Sequence, residues 1–358
     1  MRTLVVSDLH LGGRSGRQLL HQPEHVATLR AELADLDCLV LLGDTVEFRE
    51  LSLRDALAGA SRVLPELVSG LPKGADIVVV PGNHDHFLGG GWALRRSLVP
   101  PAPIGLSETL DWRDGEPLAA VVEMLGSAGA NVSAYYPGVF LRDDVYAHHG
   151  HYLDRHTVVP AFERLGAGAM GKLLRTPAAQ AASVDDYENV LTPIYAWMYA
   201  MAQAGEVGDS AQNGASARIW RAIREGRGWR KYSAQAGVGA LVGVVNRAGL
   251  GPVSASVLRE GIDGTELPAF VAVLEALKVP ASWALFGHTH RAGPLPADDP
   301  KRWTTPSGVR MMNTGSWVYD DTFIAPGSAA NSPYRPGFAV RIDGDDPPQL
   351  VNLLGGEG

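Results

Sequence analysis

One cysteine, Cys38, stands among 358 residues, which excludes an intramolecular disulfide framework and any structural metal site built on several thiolates. Long apolar runs are also missing. The longest near-uniform stretch, Ala236–Val245, has ten residues, about half of the ~20 that a membrane-spanning helix requires. The opening Met1-Arg2-Thr3-Leu4-Val5-Val6-Ser7-Asp8 turns polar too early for a secretory signal, so a cytoplasmic chain without a transmembrane segment is expected. Positive charge is in deficit, with 31 Lys and Arg against 39 Asp and Glu and a formal charge of −8. That balance disfavours a protein that tracks extended nucleic acid, although a local basic site is compatible with it. Internal repeats and low-complexity tracts are absent as well. Core-forming residues are plentiful: 46% are hydrophobic and 20% charged, enough for one large domain with an elaboration or for two domains.

Four short apolar runs each end in a polar cluster: Thr3–Ser7 before Asp8, Cys38–Leu42 before Gly43-Asp44, Ile77–Val80 before Pro81-Gly82-Asn83, and Trp283–Phe286 before Gly287-His288. Such runs read as buried strands that feed loops. Candidate helices over 22–36 and 52–69 separate the first three. Strand, helix, strand, helix, strand specifies an α/β layered domain with its chemistry at the carboxyl ends of the strands. A helix is expected near 117–126, and strands at 131–136, 139–147, 309–314, 337–342 and 349–354. From about 153 to 279 helical periodicity takes over. Tyr187, Val190, Leu191, Ile194, Tyr195, Met198 and Met201 share one helix face, as do Leu267, Phe270, Val271, Leu274 and Leu277. The stretch 205–216 reads as a loop, and Cys38 as an inert residue of a buried strand.

Eight of the eleven histidines fall in four clusters at strand ends, Asp8-Leu9-His10, Gly82-Asn83-His84-Asp85-His86, His148-His149-Gly150-His151 and Gly287-His288-Thr289-His290, and Gly43-Asp44 adds a carboxylate. Lone histidines more often fill a core or face solvent, and His21, His25 and His156 read that way. Imidazole and carboxylate without thiolate suit Mn, Fe, Zn or Co, whereas an all-oxygen set would suit Mg or Ca. The supply is large enough for two ions, with Asp44 the natural bridging carboxylate. Two ions ~3.5–4 Å apart form a clamp for in-line phosphoryl displacement.

Taken in chain order, the blocks D-x-H, G-D, G-N-H-D, H-G and G-H-x-H resemble those of the calcineurin-like metallophosphoesterases, over residues 3–151 and 282–318. The resemblance implies a layered β-sandwich core flanked by helices. It also implies a dinuclear phosphohydrolase that cleaves a phosphate ester or pyrophosphate bond, with metal-bound hydroxide as nucleophile. By position it places Asp8, His10 and His290 on one ion and Asn83, His149 and His288 on the other, with Asp44 bridging. His84 would stand at the scissile phosphate as general acid or electrostatic stabiliser, and Asp85 would orient it. Two divalent transition ions are the implied cofactors, manganese first. Ser7–Leu11, His149–Asp154 and Asn313–Trp317 further resemble the branch containing the UDP-2,3-diacylglucosamine hydrolases, which cleave a pyrophosphate bond in a lipid precursor. Those hydrolases carry Arg at the place of His84 and Asp at the place of His151, so their substrate does not transfer with the metal site. His151 becomes a candidate substrate contact or a support behind the ligands, and His148 a structural residue.

Between the third and fourth histidine clusters, residues 152–286 make an insertion of 135 residues, far longer than an ordinary connection. A mainly helical cap over 153–279 is expected, inserted in a core of 1–152 and 280–358. Within it Arg218, Arg221, Arg224, Arg227, Arg230 and Lys231 alternate with Ile219, Trp220, Ile223 and Trp229. An ordinary surface helix with solvated arginines explains this pattern. So does a face for an anionic, partly apolar substrate, with Arg221 and Arg224 as candidate contacts and peripheral membrane contact through the cap. The expected partner is a phosphorylated small-molecule or lipid-linked substrate. A nuclease or cyclic-nucleotide phosphodiesterase uses the same kind of metal site, and a non-catalytic binding scaffold would be expected to have lost ligands; all are present.

Overall fold

Register explains how the core is laid down. β1 (Arg2–Val6), β2 (Cys38–Leu42) and β3 (Asp76–Val80) pair in parallel, Thr3 opposite Cys38 and Cys38 opposite Asp76. In this computed structural model of the chain the described residues are 1–14, 16–100, 102–156, 181–204, 263–319, 324 and 332–355. They fall in two compact units. One comprises Met1–His151, Tyr199–Gly205 and Val279–Gly358, and the other Tyr152–Met198 and Glu206–Lys278, each within its described residues.

The first unit is a mixed α/β layer structure on a ten-stranded sheet, in the order β10-β9-β1-β2-β3-β5-β6-β7-β8 with β4 on β5. β5 (Asn131–Arg142) joins its halves: residues 131–134 pair in parallel with β3, and residues from Gly138 onward pair antiparallel with β6 (Val145–His148). The sequence reading expected two strands here, over 131–136 and 139–147. One strand passes through Pro137, which follows the pairing with β3, precedes that with β6 and stands opposite Ser107 at the end of the short ladder with residues 107–109, a ladder end where a missing N–H is tolerated. β7 (Trp283–Phe286) and β8 (Arg310–Asn313) extend the second half, and β9 (Phe338–Asp343) and β10 (Gln349–Asn352) the first.

Side chains alternate across this sheet. Val5, Val40, Leu42, Val80, Val340 and Ile342 from the first half cluster with Val139, Val145, Ala147, Leu285 and Met312 from the second, making a β-sandwich core. The opposite face carries Leu4, Val6, Leu39, Leu41, Ile77 and Val79 against the helices. Burying each such side chain contributes ~1.5–3 kcal/mol. The helices there are α1 (Pro23–Ala31), α2 (Leu53–Ala60), α3 (Leu64–Val68), α4 (Gly90–Ser97) and α5 (Pro117–Gly126), and β4 is Ser107–Thr109. The single helix expected over 52–69 is two, because Pro65 belongs in a first helical turn and not in an interior.

α6 (Val184–Gln203) begins in a capping box: Asp186 N–H donates to Ser183 Oγ, and the Asp186 carboxylate accepts from Ser183 N–H. Its stripe buries Tyr187, Val190, Leu191, Ile194 and Tyr195, while Met198 and Met201 are half-buried. In α7 (Asp263–Leu277), Leu267, Phe270 and Leu274 are buried, and Val271 and Leu277 half-buried. Arg221, Arg224, the basic segment around them and the apolar stretch 236–245 lie outside the described residues. Among the described residues no helix is long and apolar enough to cross a membrane.

Candidate metal centre

β1, β2, β3, β6 and β7 each run into a loop that carries one block of candidate ligands. The first two loops continue the ladder: Asp8 N–H donates to Gly43 O at 3.1 Å, His10 N–H to Asp44 O at 2.8 Å and Leu11 N–H to Thr45 O at 2.9 Å. Asp8, His10, Asp44, His288 and His290 all have left-handed φ between 47° and 68°, and are five of the six non-glycine residues with positive φ among the described ones. Such conformations cost on the order of 1 kcal/mol each and gather where function requires them. The glycines of the motifs allow close approach. A Cβ at Gly82 would lie 2.3 Å from Asp44 Oδ1, and one at Gly287 2.4 Å from Asp8 Oδ2.

Two groups of donors result. In the first, His290 Nε2 lies 3.3 Å from both Asp8 Oδ1 and His10 Nε2, which are 3.9 Å apart. In the second, Asn83 Oδ1 lies 3.2 Å from His149 Nε2 and 3.0 Å from His288 Nδ1, and Asp44 Oδ2 is 3.1 Å from His149 Nε2. Asp44 Oδ2 is also 3.8 Å from His10 Nε2, so one carboxylate oxygen faces both groups. Hydrogen bonds set the rings: His149 Nδ1–H donates to Leu42 O at 2.9 Å, leaving Nε2 for the centre.

His84 sits beside this centre, its ring centroid 4.6 Å from that of His10 and its backbone N–H donating to Asp44 Oδ1 at 2.8 Å. Its side chain is 27% exposed, against 9% for His10 and 0% for His149. His84 is thus the most exposed of these three rings, with His290 next to it in exposure at 20%. Its ligand atom also falls within 4.8 Å of those of His10 and Asp44, so distance alone does not separate proton donor from ligand.

The expectation that Asp85 orients His84 is corrected. Asp85 is fully buried and turns away: Oδ1 accepts from the N–H of Gly82 at 2.7 Å and of Asp44 at 3.2 Å, and Oδ2 from Thr45 at 2.7 Å and Val46 at 3.3 Å. It ties the β3 loop to the β2 loop. Glu47, not Asp85, meets the His84 ring, its Oε2 lying 2.6 Å from His84 Nδ1 and 2.8 Å from His10 Nδ1. The sequence signal for Glu47 was a carboxylate three residues after Asp44. His151 does not face outward. It is fully buried, its ring stacked on His148 with centroids 5.0 Å apart and 5.8 Å from that of His149, and its Nε2 lies 3.4 Å from the Tyr136 hydroxyl. Other supports also went unforeseen as such. The Asn313 amide donates to Gly287 O and Thr289 Oγ1, both at 3.0 Å, and Ser7 Oγ lies 2.6 Å from Thr314 Oγ1 and donates to Asp8 Oδ2.

The sequence profile of the calcineurin-like phosphoesterases matches residues 1–192, over half of the chain and through four of the five blocks. The chain belongs to that family. Calcineurin-like phosphoesterases are metal-dependent hydrolases of phosphoesters, and this member carries candidate His and Asp groups for the metal. No curated protein matches the chain. Among solved structures, a cold-active protein-tyrosine phosphatase from a psychrophilic Shewanella species aligns over 98% of this chain and 80% of its own at 12% identity. Its TM-score of 0.28 is too low for the likeness to carry weight.

The donor set fits transition ions. It is nitrogen and oxygen only, and separations near 3.0–3.9 Å are those of neighbouring ligands around an ion with bonds of ~2.0–2.2 Å. Asp8 Oδ1 is buried and makes no hydrogen bond, as suits a ligand atom. Charge points the same way. Burial opposes ionisation of His10, but Glu47, Asp44 and Asp8 outweigh it and raise its pKa to about 9. His149 is likewise raised to about 10, by Asp44 and Asp8 against burial. Despite burial, His149 and His84 hold Asp44 well below the usual carboxylate range, and His84 and His10 do the same for Glu47. The carboxylates are thus charged at neutral pH, and cations and protons compete for the two rings.

Proposed function

We propose that this calcineurin-like phosphoesterase is a dinuclear phosphohydrolase whose substrate is a phosphate ester. The observation that carries the reading is Asp44 Oδ2, which faces donor nitrogens of both groups at 3.1 and 3.8 Å. Asp8, His10 and His290 would hold one ion and Asn83, His149 and His288 the other, with Asp44 available to both. When bound, two divalent ions, manganese first, supply the charge that neutralises phosphoryl oxygens and activates water.

The chain's own residues supply the proton. His84 Nδ1 is taken by Glu47, so Nε2 is the atom that meets the leaving oxygen and Glu47 fixes the ring. The segments Ser7–Leu11, His149–Asp154 and Asn313–Trp317 support kinship with enzymes that cleave a lipid-linked pyrophosphate. His84 in place of their Arg favours an ester, because a leaving alkoxide needs a proton and a leaving phosphate does not. Arg221 and Arg224 remain the candidates for remote anion contact, and the single buried Cys38 suits a cytoplasmic setting.

A panel of monoester, diester and pyrophosphate substrates with added Mn²⁺ tests this. His84→Ala is expected to lower turnover roughly 100-fold or more on alkyl esters, less on an ester with an acidic nitrophenol leaving group, with metal content unchanged. An equal loss on every leaving group would remove the proton-donor role, and a loss of metal would move His84 into the ligand set.

A further inference from the structure

Asn83 is the one amide of the proposed ligand set, and its two ends lie between partners that want opposite things of it. With Oδ1 toward the rings, 3.0 Å from His288 Nδ1 and 3.2 Å from His149 Nε2, the NH2 stands against Nη1 of Arg49, donor against donor; with the amide turned over, the NH2 donates to His288 Nδ1, His149 Nε2 and Asp44 Oδ2 (3.0, 3.2 and 3.2 Å) and the oxygen accepts from Arg49 Nη1 at 2.7 Å. A guanidinium offers donors only. The atom that faces Arg49 is favourable there only as the carbonyl oxygen, which turns the NH2 toward Asp44 and the rings. Ligation of an ion demands the reverse, with the oxygen toward the centre and the NH2 against the guanidinium. Both cannot hold at once. Arg49 is no loosely held surface side chain, since it is 8% exposed and its backbone N–H donates to Glu47 Oε1 at 2.8 Å.

We infer that Arg49 is a positioning residue that competes with the ion at the Asn83–His149–His288 position by holding the Asn83 amide turned away from it. That position is then the weaker and more readily exchanged of the two, while the Asp8–His10–His290 position, which lacks Asn83, is unaffected. The inference rests on the two-ion reading above. It also gives a reason for the residue types: a carboxylate at position 83 would offer an oxygen to both sides, so the conflict exists only because the ligand is an amide.

Titrating Mn²⁺ into the metal-free full chain, followed by the electron paramagnetic resonance of free Mn²⁺, reads both dissociation constants without recourse to activity. Arg49→Met, and Arg49→Gln, whose side chain carries an acceptor that suits either amide orientation, are each expected to tighten the weaker site at least 10-fold. The tighter site should stay within twofold, which also reports an intact fold. Arg49→Lys keeps a donor-only cation and should stay within about threefold of the wild type at both sites. In an Asn83→Asp background Arg49→Met should shift the weaker site by less than threefold. Two ions in the wild type with unshifted constants in the Met and Gln variants would overturn this inference alone, as would equal loosening of both sites. A wild type that binds a single ion would overturn the two-ion reading and this inference with it.

Discussion

Glu47 Oε2 faces two imidazoles at once, the His10 ring that belongs to the donor set and the more exposed His84 ring. Removing its charge should therefore act on both. Glu47→Gln is expected to weaken Mn²⁺ binding at the Asp8–His10–His290 position by roughly 10–100-fold, the usual scale for a residue that orients a ligand, and to leave turnover depressed even at saturating metal. Calorimetric titration beside steady-state kinetics checks both, and full recovery of turnover with excess metal would mean that Glu47 does nothing for His84. Asp85 should differ. Its four accepted backbone N–H bonds hold two loops together, so Asp85→Asn is expected to lower the melting temperature of the metal-free protein, a readout that His84→Ala leaves nearly unchanged. Both roles escaped the sequence for one reason. His84 and Asp85 are neighbours in the chain, but the turn after β3 sends their side chains in different directions, and no spacing rule reports that. The blocks that meet at the candidate centre were readable because each follows an apolar run directly.

Parallel neighbours bring their carboxyl-end loops together, and five of the left-handed residues stand there among the candidate donors. Lys278 is the exception among the six, a residue at φ 51° just past α7 with no place in the donor groups. Glycine suits that position after a helix, so Lys278→Gly is expected to stabilise the protein by ~0.5–1 kcal/mol, read as a raised melting temperature. A fall would show that the Lys278 side chain contributes more than its backbone costs. At this scale the sequence reading placed β2, β7 and α5 at their observed bounds, where apolar runs or a proline at the first helical turn mark the edges. It missed α4, which opens with two glycines, poor helix formers, and is only eight residues long, and it divided β5 at Pro137, because which strand pairs on each side of a proline is a tertiary fact.

Across the whole molecule, metal binding and protonation are one equilibrium. The raised values of His10, about 9, and His149, about 10, lie above their ordinary 6.5. Their contacts with Asp8, Asp44 and Glu47 therefore stabilise the metal-free fold fully below pH 6.5, and that contribution is lost as pH rises through about 9 to 10. Ligation requires the neutral rings, so Mn²⁺ affinity is expected to climb across the neutral range and to level off above about pH 10. Calorimetry at pH 7.5 in buffers of different ionisation enthalpy should detect proton release from both rings, and identical heats in all buffers would contradict it. The proposed two-ion centre shared by Asp44 is tested most directly by counting the manganese that each chain retains, by elemental analysis after reconstitution and removal of free metal, for the wild type and Asp44→Asn with the fold verified. Two ions in the wild type, with both positions weakened together in Asp44→Asn, is the expected result; a single ion in the wild type, or a variant that loses one position and keeps the other at full strength, would contradict it.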